Sequence, residues 1–188
     1  MDIKKALTFT AFGFLFTLVN LNLNFGQSIG PINFMPDFVG WALLYLALGK
    51  FGRFSEGKDY LRWVAIVMII LSGVLWVMQI MKVEMLSSVL TTVGTIITLV
   101  FNFIYFGILE DVAEAYGSSR KDTIHLLKIV NLVLYLGFTV MGIIALIKVH
   151  TATVAIAAVL GAAALVAAII SLVVLFGLRK EISARITD

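Results

Sequence analysis

The chain has 188 residues, 61% of them hydrophobic and 13% charged, with a formal charge of +3. A soluble domain carries about 45–50% apolar and about 25% charged residues, so this composition excludes one: the polar side chains are too few to cover what its helices would present to water. Absence of cysteine excludes a disulfide framework, a thiolate metal site and a cysteine nucleophile.

Crossing a hydrocarbon core about 30 Å thick takes about 20 mainly apolar residues. In chain order, residues 6–25, 32–49, 63–81, 86–109, 124–147 and 152–178 are predicted to do so. The first run follows Lys4 and Lys5, a flank that also resembles a secretory signal, but Asn24, Phe25 and Gly26 make a poor cleavage site and the helix is expected to be retained. The second has Pro36 and Asp37 near its start and only about a dozen uninterrupted apolar residues beyond, so it either spans or re-enters against protein. Asp59 stands where it can cap the third helix. The fourth is expected to continue through Glu110 to Tyr116 before Gly117, Ser118 and Ser119 turn the chain.

The basic residues decide between five spans and six. Six spans place Lys4, Lys5, Lys50, Arg53, Lys58, Arg62, Arg120, Lys121, Lys128, Arg179, Lys180 and Arg185 on one side and only Lys82 and Lys148 on the other. Positive charge is retained on the cytoplasmic side, so both termini are predicted to be cytoplasmic in a multi-pass protein. Clusters of this kind encode topology, and no nucleic-acid partner is expected. The fold class is therefore an all-α integral membrane bundle of six transmembrane helices, one domain over residues 1–188, with the lipid bilayer as its solvent.

Thr10, Gly13, Thr17, Leu18 and Val19 recur at identical spacing as Thr91, Gly94, Thr98, Leu99 and Val100. The first helix is predicted to run outward and the fourth inward, which fits a weak three-plus-three inverted repeat and fits equally a chance recurrence of residues common in apolar helices. Small or hydrogen-bonding residues form one stripe on the first helix (Thr10, Gly13, Thr17, Asn20, Asn24), one on the fourth (Thr91, Gly94, Thr98, Asn102, Tyr105) and one on the sixth (Thr153, Ala157, Gly161, Ala164, Ala168, Ser171). Such stripes are expected to face protein, because small residues admit a close neighbour and amides can bond across the gap.

Two polar layers carry the functional expectation. In the outer half, Asn20, Asn22, Asn24, Gln27 and Asn33 surround Asp37 in sequence. A carboxylate at membrane depth is costly and marks either a paired structural group or a site. Asp37 reads in two ways: as a helix-start residue after Pro36, favoured by the macrodipole, or as the binding carboxylate of a polar cavity with Asn20, Asn24 and Asn33 as neutral ligands. Nearer the cytoplasm, Asn102, Asn131 and Ser171 lie at similar predicted depth and form an inner constriction. Below them Lys128 and His125 face Glu110, as an interfacial ion pair or as a gate or proton relay.

Enzymatic motifs are lacking: there is no HExxH, GxSxG or phosphate-binding glycine loop, and His125 and His150 fall on opposite sides. Neither a cofactor nor a metal site is expected. The exception to a non-enzymatic reading is metal-dependent chemistry on a lipid head group at Glu110, Asp111 and Glu114.

The stretch from Asn33 to Trp41, with its Pro-Asp-x-x-Gly core at Pro36, Asp37 and Gly40, resembles a segment in small uncharacterised multi-spanning membrane proteins of Gram-positive bacteria. The resemblance covers about the first quarter of the chain and implies a bacterial plasma membrane but no activity. Two functions stand side by side: transport of a small ion or solute through a cavity centred on Asp37, and a non-catalytic accessory, assembly or sensor protein acting through helix contacts with a membrane partner or a second copy. A transporter needs its polar layers on one cavity, whereas the partner reading needs a closed core and an open small-residue stripe, foremost on the sixth helix.

Overall fold

In the computed structural model, residues 2–18, 22–23, 32–33, 36–81, 84–147 and 151–187 are described. They form α1 (Ile3–Leu18), a short antiparallel pair β1 (Asn22–Leu23) and β2 (Ile32–Asn33), α2 (Asp37–Leu48), a 3-10 turn at Gly52–Ser55, α3 (Tyr60–Ile80), α4 (Glu84–Ala115), α5 (Lys121–Ile147) and α6 (Thr151–Thr187). The strand register pairs Asn22 with Asn33 and Leu23 with Ile32.

Four helices, α3 to α6, are long and apolar enough to cross a membrane. Their apolar residues need no amphipathic order, because lipid accepts apolar side chains on every face not held by protein. Trp63, Ile70, Val133, Val159 and Val173 accordingly point outward, each more than half exposed.

The first two helices depart from the boundaries expected of them. The first ends at Leu18 rather than near Phe25, and the second begins at Asp37 rather than near Ile32. The reason is local chemistry. Asn is a poor helix former that competes for backbone partners, and Pro36 has no N–H to give to a helix running through it. Asn22 and Asn33 instead face each other in the short pair. The result is a twelve-residue α2 about 18 Å long at 1.5 Å per residue, well short of a core about 30 Å thick.

Each helix packs on its sequence neighbour, and α1 packs on α6, so the six helices close a ring. One end of this ring is filled by aromatic side chains. Phe14, Phe51 and Phe101 surround the fully buried Tyr105 at ring distances of 5.4–5.9 Å. Thr10 donates to Ala6 O at 2.9 Å, which leaves Tyr105 as the donor in the 2.6 Å contact between the two hydroxyls. This bond ties α1 to α4 across the ring.

The basic clusters gather at the same end. Lys58 reaches Asp111 at 3.1 Å, Arg120 reaches Glu181 at 2.9 Å, Arg185 reaches Gly117 O at 2.9 Å, and Lys50 lies over the Phe9 ring. The turn after α4 closes as a Schellman motif, Ser118 N to Ala113 O and Gly117 N to Glu114 O, with Gly117 at φ +56°. Asp59 does precede α3, but its backbone is already helical and its side chain makes no capping bond. A cap needs an extended backbone to turn its oxygen onto the free amides.

Candidate functional site

The site is built where α2 falls short. Pro36 carries an extended backbone at φ −69° and ψ 132°, and Asp37 opens the helix behind it. The shortness of α2 leaves Asp37 inside the ring, about 18 Å from the end occupied by Lys50. Gly40 brings α2 onto α1: a Cβ there would lie 2.6 Å from Thr17 Cγ2 and 2.7 Å from Gly13 O. The three residues of the Pro-Asp-x-x-Gly core therefore act together, one starting the helix, one entering the interior and one letting α1 close over it.

Asp37 lines a cavity of about 220 Å³ in the ring interior. Five helices contribute: Thr17 from α1, Trp41 from α2, Ser72 from α3, Thr98 from α4 and Tyr135 from α5. Further lining comes from Met68, Leu75, Thr91, Gly94 and Thr95. Trp41 packs edge-on against Phe101 at 4.8 Å, so the cavity floor continues into the aromatic core. Thr17, Thr91, Gly94 and Thr98, shared positions of the two similar segments, face this one space.

Four hydroxyls of the lining share one direction. Thr98 donates its proton to Gly94 O at 2.8 Å, Thr95 to Thr91 O at 2.9 Å, Thr17 to Gly13 O at 3.2 Å and Ser72 to Met68 O. With the single proton of each hydroxyl committed to its own helix, what remains is oxygen lone pairs. The Oδ1 atom of Asp37 is buried and has no hydrogen-bond partner among the described residues. An unmade bond to a buried oxygen costs about 1–3 kcal/mol, more when the group is charged.

Of the neutral ligands expected around Asp37, Asn20 and Asn24 lie outside the described residues, and Asn33 is placed only by its backbone in β2. The inner layer is placed in full. Asn102, Asn131 and Ser171 are all buried. The described bonds of two of them turn onto their own helices, Asn131 donating to Leu127 O at 2.8 Å and Ser171 to Ala167 O at 2.8 Å, while Asn102 lies beside the Tyr135 side chain. Asn102 thus touches a wall of the cavity.

At the charged end, Lys128 Nζ donates to Glu110 Oε2 at 2.9 Å and His125 Nδ1 meets Glu110 Oε1. Lys128 also lies over the Phe103 ring at 4.7 Å. The three carboxylates considered for metal chemistry each take a different partner, Glu110 with Lys128 and His125, Asp111 with Lys58, and Glu114 with Lys121. Among the described residues no three His, Asp or Glu side chains converge on one point. Side chains of Lys128 and Glu110 are only 17% and 16% exposed, whereas the Lys121–Glu114 pair is half open to solvent. Glu110→Gln is therefore expected to lower stability by about 1–3 kcal/mol by stranding a half-buried ammonium, and Glu114→Gln to change it by about 0.5 kcal/mol or less. Thermal unfolding in detergent measures both.

The small-residue stripe of α6 divides. Ala168 and Ser171 are buried against the ring, while Gly161 is exposed and a Cβ there would meet nothing within 4 Å. The cavity walls Ser72, Thr95, Trp41 and Tyr135 were not singled out from the sequence as site residues. Their signal is weak, since lone hydroxyls and aromatics in apolar helices are ordinary packing residues.

Comparison of the chain with protein-family models, curated proteins and solved structures gives no match. Functional argument therefore rests on the site itself.

Proposed function

We propose that this chain is a multi-pass protein of a bacterial plasma membrane, with both termini cytoplasmic, that moves a small ion or solute through the cavity centred on Asp37. The observation that carries the reading is the buried Oδ1 of Asp37, without a partner among the described residues, in a 220 Å³ space within a ring of six helices. Intramembrane carboxylates mark substrate and ion pathways. In this reading α1 and α2 complete six spans with the four long helices. Equivalent positions of the two similar segments, Thr17 and Thr98, then line the pathway from opposite halves of an inverted repeat. The aromatic floor at Phe101 and Tyr105, with Asn102 above it, is the inner constriction that must move for passage.

The test is flux in proteoliposomes. Wild-type protein reconstituted at known density should release a loaded small cation faster than empty liposomes, and Asp37→Asn should fall to the empty-liposome rate. Equal rates in all three preparations would overturn the transport reading.

One observation favours the second reading. The open stretch around Gly161 on α6 supplies the kind of surface on which another transmembrane helix can approach closely. A second copy or a membrane partner seated there is compatible with a cavity in each subunit. It takes over as the main reading if no solute crosses.

A further inference from the structure

The transport reading leaves the ligand unnamed, and the cavity walls restrict it. Among the described residues no lysine, arginine or histidine lines the space, and the one formal charge they bring to it is the carboxylate of Asp37. The hydroxyls of Thr17, Ser72, Thr95 and Thr98 have given their protons to their own helices and offer only acceptors. Among the described residues an anion would meet the carboxylate and these lone pairs, with N–H or O–H groups remaining only on Thr91, Trp41 and Tyr135. A neutral acceptor would meet no committed donor among these groups. The complement of such a lining is a cation that donates hydrogen bonds.

Charge and volume narrow it further. A single carboxylate balances one positive charge, whereas divalent cations are held by several carboxylates or by a dense oxygen shell. A volume of 220 Å³ exceeds the roughly 150 Å³ in which an apolar cavity holds benzene, and is much larger than the roughly 30 Å³ share of one water. A bare alkali ion would leave most of that space unfilled against the apolar walls of Met68 and Leu75. Trp41 and Tyr135 add aromatic surfaces of the kind that attract organic cations.

We propose that the Asp37 cavity binds a small primary organic ammonium ion, its N–H groups divided between Asp37 Oδ1 and the threonine and serine oxygens and its short carbon chain lying against Trp41, Met68 and Leu75. This assignment rests on the Asp37 cavity being a ligand site. Three N–H donors on the ammonium match one carboxylate oxygen and two hydroxyl oxygens, so the buried Oδ1 of Asp37 is satisfied on binding.

The experiment is a thermal-unfolding titration of the full chain in detergent at constant ionic strength, with butylammonium, tetramethylammonium, sodium and potassium chlorides and with sodium butyrate. Butylammonium should raise the unfolding midpoint saturably, since a ligand that binds only the folded state stabilises it, and the other salts should not. Asp37→Asn should weaken the apparent affinity about tenfold or more, and Ser72→Ala or Thr95→Val about threefold, which keeps the test open if the first variant fails to fold. A saturable shift with sodium or potassium and none with butylammonium overturns the ammonium assignment and leaves the cavity reading standing. Tetramethylammonium acting as well as butylammonium overturns the hydrogen-bond account, because it has no N–H to give. No shift with any cation, in protein that unfolds cooperatively, overturns both the assignment and the reading beneath it.

Discussion

Asp37→Asn is expected to make the ligand-free protein more stable, by about 1–2 kcal/mol, while removing its response to cations. Two effects oppose each other at this residue. Asp37 occupies the first turn of α2, where a negative charge gains about 0.3–1 kcal/mol from the helix macrodipole. Against this, its buried Oδ1 has no partner among the described residues, and leaving such an oxygen unsatisfied costs about 1–3 kcal/mol for a neutral group and more for a charged one. The penalty is the larger, so neutralising the side chain at constant shape relieves more than it loses. Binding sites are commonly held at such a cost to stability. Thermal unfolding at pH 8, where an ordinary carboxyl is charged, reads the sign directly. A loss of stability in Asp37→Asn would show that the carboxylate serves the start of α2 and not the cavity.

The second large effect is expected at Gly40. An alanine methyl would sit 2.7 Å from the backbone oxygen of Gly13 and 2.6 Å from Thr17 Cγ2. Thr17 can adjust by rotation; Gly13 O belongs to the α1 backbone and moves only if the helix does. Gly40→Ala is therefore expected to cost about 1–3 kcal/mol and to displace Thr17 from the cavity wall, weakening ligand response together with stability. Gly73→Ala is the control, because a methyl on that part of α3 meets nothing within 4 Å. It should be neutral or slightly stabilising, since alanine is the better helix former. Equal losses at the two positions would mean that helix contact at Gly40 is not what holds α1 against α2.

How far these features can be read from the sequence depends on how local their causes are. The long helices α3 to α6 announce themselves as runs of apolar residues of spanning length, and the turn at Gly117 as a glycine after a polar helix end. The ends of α1 and α2 are harder, because a hydropathy run passes through Asn22 and Pro36 without registering that one is a poor helix former and the other cannot donate a hydrogen bond. Asp37 is legible as an anomaly from sequence alone, a carboxylate next to an apolar run. Its surroundings are not. Ser72, Thr95, Trp41 and Tyr135 lie far apart in the chain and meet Asp37 only because five helices converge on one space. That the threonine protons turn back onto Gly13 and Gly94, leaving acceptors inside, depends on side-chain rotation and has no sequence signal. The Gly161 stretch of α6 is the reverse case: a stripe of small residues suggests a helix partner, and among the described residues a Cβ there would meet nothing within 4 Å.

The most direct test of the central claim uses the absence of cysteine from the chain. A Ser72→Cys variant places one thiol on the cavity wall that α3 supplies, nearly the size of the side chain it replaces. Its labelling by the cationic reagent aminoethyl methanethiosulfonate is compared with that by the anionic sulfonatoethyl reagent, in the presence of Asp37 and again with Asp37→Asn. A cation-accepting cavity centred on Asp37 predicts that the cationic reagent reacts at least about tenfold faster, as an opposite charge nearby draws it in, and that the preference collapses in the double variant. Equal rates for the two reagents with Asp37 intact, or no reaction in folded protein whose thiol labels fully once unfolded, would contradict it.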